Sequence, residues 1–148
     1  MSLIIDPHNK KSRLIKSSDY DRVLSDSQRI IQEAFSPTGI FRDVYSVAHP
    51  QITDRDPLRF FVLRDKTIVM NPIILNHTKT TVDSLEACLS FPSNFSITVQ
   101  RWNKCVVRYE KLNFDKTVEV IEANLNGLEA KIFQHEIDHL DAIYIYEQ

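Results

Sequence analysis

The sequence predicts an α+β fold: an N-terminal helix, mostly antiparallel β-sheets, and a C-terminal helix bearing His135, Glu136 and His139 packed against them. Three observations predict it. Apolar residues recur at helical spacing near the start, Val, Ile, Phe and Tyr crowd the middle between turn residues, and helical periodicity returns at the end. Helix, strands and helix in that order are the α+β pattern.

The first element runs from Ser18 or Asp19 to Phe35, where Val23, Leu24, Ser27, Ile30, Ile31 and Ala34 fall near one face. An N-cap candidate and acidic first-turn residues precede that face, and Ser36-Pro37-Thr38-Gly39 ends it. The strands follow in "RFFVLRDKTIVMNPIIL", "SITVQRWNKCVVRYEKL" and "TVEVIEANL", with turns at Arg64-Asp65-Lys66 and Asn113-Phe114-Asp115. The last element spans Asn126 or Gly127 to about Ala142. Leu128, Ile132, His135 and His139 form one stripe of it, and Phe133, Ile137 and Leu140 form the next.

At 148 residues, 43% of them hydrophobic and 26% charged, the chain has the size and balance of one domain, residues 1–148. A net charge of −2, from 18 basic and 20 acidic residues, leaves no electrostatic footprint for nucleic acid or an anionic membrane. The opening apolar run, Leu3 to Ile5, is too short for a secretory signal, and no window approaches a membrane span. The expectation is a soluble, cytoplasmic protein, with an organelle as the other compartment that fits. Cys88 and Cys105 are too few for a disulfide scaffold and read as thiols. Gly39 and Gly127 are the only glycines, so close backbone approach must be managed largely without them.

Residues four apart share a helix face, so His135 and His139 can offer two imidazoles to one ion, while Glu136 reaches a bound water. Two histidines need a third ligand. Downstream, the metzincin Gly and His places hold Ala142 and Ile145, and the acidic candidates among the nine residues after His139 are Asp141 and Glu147, with no room for a helical hairpin. The ligand is expected upstream, and Cys88 in "SLEACLSFP" is the best placed. Its other reading is a small buried hydrophobe, the one assigned to Cys105.

With these residues in view the chain resembles the peptide deformylases. "VYSVAHPQ" (44–51) stands for their GxGxAAxQ motif, "EACLS" (86–90) for EGCLS, and "QHEIDHL" (134–140) for QHExDHL, in the family's order. Looser matches at Asn71-Pro72, the Arg101 strand and the N-terminal helix extend the resemblance over most of the chain.

The resemblance implies hydrolysis of N-formylmethionyl nascent peptides with release of formate. It implies Cys88, His135 and His139 as ligands of one divalent ion, Fe²⁺ natively, with Zn²⁺, Ni²⁺ or Co²⁺ as substitutes. Glu136 would be the general base, and the Gln51 amide and the Leu89 N–H would bind the formyl oxygen. Val47 and Ala87 would lie along the peptide, and Leu128 and Ile132, on the stripe of His135, would form the methionine wall unless they are ordinary core residues. Glu86 and Arg101 would be a structural pair. The ribosome is a further expected partner, although the chain lacks the C-terminal extension of longer members.

Several positions depart from the pattern. Val44 and Ser46 replace the first motif's glycines, His49 its second Ala, Ala87 the Gly of the second motif, and Ala142 the Gly three residues after His139. His49 is expected to be an exposed loop residue, or else an extra polar group near Gln51. Two other functions stay open: a deformylase-like peptide-binding module of impaired activity, and a hydrolase of another small acyl or amide substrate.

Overall fold

The computed structural model describes residues 10–35, 45–87 and 96–143. The expected helix stop at 36–39, and Val44, Cys88 and Leu89, lie outside them. Helix α1 is Tyr20–Ala34, entered through a 3-10 turn at Ser17–Asp19. Asp19 does not cap it with its side chain. Its carboxylate instead accepts from the Lys16 N–H at 2.8 Å and from Arg13 at 2.9 Å. The helix buries Val23, Ser27, Ile30 and Ala34, as its spacing predicts, with Leu24 and Ile31 packed alongside.

The strands are β1 (Ser46–Ala48), β2 (Phe60–Leu63), β3 (Ile68–His77), β4 (Thr81–Glu86), β5 (Ile97–Trp102), β6 (Lys104–Leu112) and β7 (Val118–Asn126). They form an antiparallel five-stranded sheet in the order β1-β2-β3-β6-β7 and a separate β4–β5 pair. The residues expected to turn do so: Arg64-Asp65-Lys66 and Asn113-Phe114-Asp115 lie in the β2–β3 and β6–β7 hairpins, where positive φ falls on Lys66 and on Lys116, one place beyond the expected turn.

Strand alternation divides the core in two. Val47, Phe60, Val62, Ile68 and Met70 face α1, while Ala48, Phe61, Val69, Cys105 and Val107 face the second helix, α2 (Gly127–Leu140). Because β2 is covered on both faces, it reads as the continuous apolar run Phe60-Phe61-Val62. Phe133 of α2 meets Phe61 edge-on at 5.1 Å, a geometry worth about 1 kcal/mol beyond its area. Among the described residues no helix is long and apolar enough to cross a membrane.

Strand β3 is interrupted at Asn71, where the register with β6 shifts and φ is 50°. Its amide then bonds the N–H and the C=O of Ile15, tying the entering segment to the sheet. Gly127 opens α2 at φ 58°; a Cβ there would meet nothing, so the backbone conformation alone calls for glycine. The helix ends in a Schellman pattern, Ile143 N–H to Asp138 C=O at 2.8 Å and Ala142 N–H to His139 C=O at 3.1 Å. The Ser12 N–H and hydroxyl both donate to the Leu140 carbonyl, which fastens that end to the N-terminal segment.

Ala142 occupies the left-handed position of this cap at φ 59°, where an L side chain costs about 1–2 kcal/mol. Part of that returns as lost chain entropy when glycine replaces it. Ala142→Gly should therefore raise Tm by about 2–4 °C in thermal unfolding. A lower Tm would mean that the cap carries no such strain.

Candidate metal centre

On α2, His135 and His139 sit one turn apart with their Nε2 atoms 2.9 Å from each other. The Nδ1 of His135 lies 2.7 Å from Glu86 Oε1, so it donates its proton there and turns the Nε2 lone pair toward His139. At this distance the His139 Nε2 can donate a proton to that lone pair, or both nitrogens can turn lone pairs on one cation. With Glu136 they form a group whose donor atoms all lie within 4.8 Å. Two imidazoles converging on one point, that of His135 oriented from behind by the Glu86 carboxylate, fit a divalent ion of borderline softness.

Glu86 sits at the end of β4, bound by Arg101 of β5 through Nε (2.9 Å) and Nη2 (2.7 Å). Burial opposes its ionisation, but Arg101 and His135 outweigh burial and hold its carboxyl down at about 2. Arg101, only 4% exposed, also donates from Nη1 to Asp138 Oδ2 at 2.5 Å. One guanidinium thus joins the hairpin to the helix. Gln134 adds a second tie: its amide accepts from the Trp102 N–H and donates to the Trp102 C=O, both at 2.8 Å.

Glu136 is 3% exposed. Burial pushes its carboxyl up, and His135 and a hydrogen bond from Ser46 partly oppose that shift. The Ser46 hydroxyl donates to Oε1 at 2.8 Å, while Oε2 has no partner among the described residues. Gln51 is also buried, in a 3-10 turn at His49–Gln51 packed against α2. Its Oε1 accepts from the Ala48 N–H at 2.9 Å, which directs the amide nitrogen to the other side.

His49 corrects an expectation, since it is fully buried and not an exposed loop residue. Its Nε2 lies 2.8 Å from Asp26 of α1, its Nδ1 accepts from the Leu58 N–H at 2.8 Å, and its ring stacks on Phe60. Both nitrogens have partners, so burial costs little. Val47 points into the α1 cluster, away from the imidazoles, leaving only its backbone for any contact with a peptide. Ala87 is exposed beside Glu86. Leu128 is 55% exposed and Ile132 half-buried, flanking Lys131, whose Nζ reaches the Asp83 C=O of β4. Cys105 is a buried thiol in the sheet, pushed up by desolvation, as its apolar strand predicts. Cys88 and Leu89 lie outside the described residues.

Sequence reasoning missed four participants: Ser46, Asp26, Gln134 and Asp138. Gln134 and Asp138 stood inside the third motif, which was a signal. Ser46 was read only as a lost glycine, and Asp26 had no signal, its partner lying 23 residues away on another element.

A family model described as "Polypeptide deformylase" matches residues 42–148. A peptide deformylase of Thermotoga petrophila is 30% identical over 142 residues, covering 94% of this chain and 79% of that protein. The solved peptide deformylase of Thermotoga maritima superposes with a TM-score of 0.76 at 26% identity, over 100% of this chain and 97% of that one. That of Thermus thermophilus gives 0.72 at 30% identity, over 99% and 84%.

The buried His49 yields a pH dependence with a defined sign. Desolvation keeps its imidazole neutral in the fold, below its ordinary value, with Asp26 countering in part. Unfolded, it titrates near about 6.5, so below that pH the unfolded chain binds the extra proton and stability falls. The same contact holds Asp26 below the usual carboxylate range, which also favours the fold at higher pH. Urea unfolding at pH 7 and 5.5 should show a loss at the lower pH, up to about 1 kcal/mol from this residue, that shrinks in His49→Asn. An equal loss in both proteins would exclude His49 as its source.

Proposed function

The chain belongs to the polypeptide deformylase family, and from that premise we propose the role of each residue at the centre. The protein is a metal-dependent hydrolase that removes the N-formyl group from formylated nascent peptides. The observation that carries the assignment of roles is the convergence of two imidazole Nε2 atoms beside a buried carboxylate.

Cys88, His135 and His139 hold one divalent ion, and Fe²⁺ is the ion we assign, with Zn²⁺, Ni²⁺ and Co²⁺ as replacements. A thiolate with two neutral imidazoles leaves net positive charge on such a centre. An ion held there would supply Lewis acidity for the attack of water on the formyl group. Glu136 takes a proton from that water as its oxygen bonds to the formyl carbon. It returns the proton to the amine nitrogen as the C–N bond breaks, and formate and a free methionyl amine leave.

The Gln51 amide and the Leu89 N–H donate to the formyl oxygen as negative charge grows there, each worth about 3 kcal/mol. The turn holding Gln51 by the Ala48 N–H supports this, because the amide is fixed before substrate arrives. Leu128 and Ile132 offer the methionine side chain an apolar wall, and the exposed Leu85 of β4 stands in the hairpin that Lys131 reaches. Strand β1, outermost in the sheet among the described residues, can pair an extended peptide by its backbone, and the exposed Ala87 after β4 is the other residue we assign to the peptide.

The test is metal content together with formate release from a formyl-Met-Ala-Ser peptide, run without oxygen on protein loaded with Fe²⁺ or Ni²⁺. One ion per chain and steady turnover are expected; a loaded protein that binds peptide without releasing formate would be a binding module instead. Glu136→Gln should keep the ion and lower kcat by about 100- to 10,000-fold. Loss of the ion in that variant would show that Glu136 is a ligand. Cys88→Ser should weaken metal retention in dialysis against a chelator, and unchanged retention would remove Cys88 from the ligand set.

A further inference from the structure

Glu136 is engaged differently from the residues around it. Glu86, Arg101 and Asp138 form a chain of contacts ending on His135. None of those contacts reaches Glu136. Its bond to a described side chain comes from another element, from Ser46 on β1, 90 residues away in sequence. Strand alternation sets that approach: Val47 packs into the α1 cluster, so its neighbours Ser46 and Ala48 face α2. In the motif that this segment resembles, the place of Ser46 is a glycine, which has no side chain to offer.

A carboxylate's two oxygens are chemically equivalent, and its terminal torsion is soft, so burial alone does not select one for proton transfer. A hydroxyl fixed on Oε1 removes that equivalence. Oε2, buried and without a partner among the described residues, is then the oxygen left to meet the water. We propose that Ser46 is a positioning residue for Glu136, holding Oε1 so that Oε2 receives the proton. This rests on the deformylase reading of the site. It also turns one of the lost motif glycines into a working part of this chain's centre.

The experiment uses the metal-loaded protein and the variants Ser46→Ala, Ser46→Thr, Glu136→Ala and the double variant Ser46→Ala/Glu136→Ala. Ser46→Ala should lower kcat for the formyl peptide about tenfold, since a hydrogen bond to a charged group is lost. KM and bound metal should stay at wild-type values. Ser46→Thr, which restores a hydroxyl, should recover kcat to within about threefold. A readout independent of turnover is the melting cycle: Ser46→Ala should lower Tm by about 3 °C in the wild-type background and by under about 1 °C in Glu136→Ala.

A kcat within about twofold of wild type in Ser46→Ala would overturn the proposal. So would an equal Tm loss in both backgrounds, or a fully stable Ser46→Thr as slow as Ser46→Ala. A wild-type protein without formate release would instead overturn the deformylase reading, and the melting cycle would still decide whether Ser46 holds Glu136.

Discussion

The carboxylate of Glu86 is the junction on which the centre depends. It accepts two bonds from Arg101 and one from His135, so a single group fixes the β4–β5 pair and selects the tautomer of a proposed ligand. The guanidinium carries the connection on to Asp138, one turn of helix from His135. Burying these charges is costly, and it is offset only because each finds a close partner of opposite sign. The reward is geometric: α2 cannot slide along the hairpin without breaking a charged contact, so the His135 ring keeps its place against Glu86.

The second constraint comes from β2, which is covered on both faces. Phe60 and Val62 support α1, Phe61 supports α2, and the two helices are thereby held on opposite sides of one thin layer. The turn that carries Gln51 is bound into both halves. Its His49 reaches Asp26 of α1, while its backbone packs on α2. Close packing leaves such a turn little freedom to shift, which suits the donor role proposed for Gln51.

Two departures from the deformylase motif share a logic. Ser46 stands where a glycine is usual and His49 where an alanine is usual, and each polar group has found a partner inside the fold. Ser46 engages Glu136, and His49 engages Asp26 and the Leu58 N–H. An added buried polar atom without a partner would cost about 1–3 kcal/mol. With partners, the same atoms become ties between elements. The glycine replaced by Ser46 is therefore no sign of a decayed site.

The sequence by itself determined the fold class, the family and the pairing of His135 with His139. The family rests on the resemblance of three motifs, while the fold class and the shared face of the two histidines follow from period and spacing, because helical and strand repeats fix which residues share a face. Both helices, the hairpin turns at 64–66 and 113–115 and the apolar burial of Cys105 were legible in this way. Only the tertiary structure decided that His49 is buried, that Val47 turns away from the imidazoles, that Arg101 reaches Asp138 as well as Glu86, and that Ser46 meets Glu136. Each of these joins groups on separate elements, 23 to 90 residues apart in the hydrogen-bonded cases. Local periodicity constrains the face a residue occupies, but the partner it meets there is set by how sheets and helices pack, and no spacing in the chain encodes that.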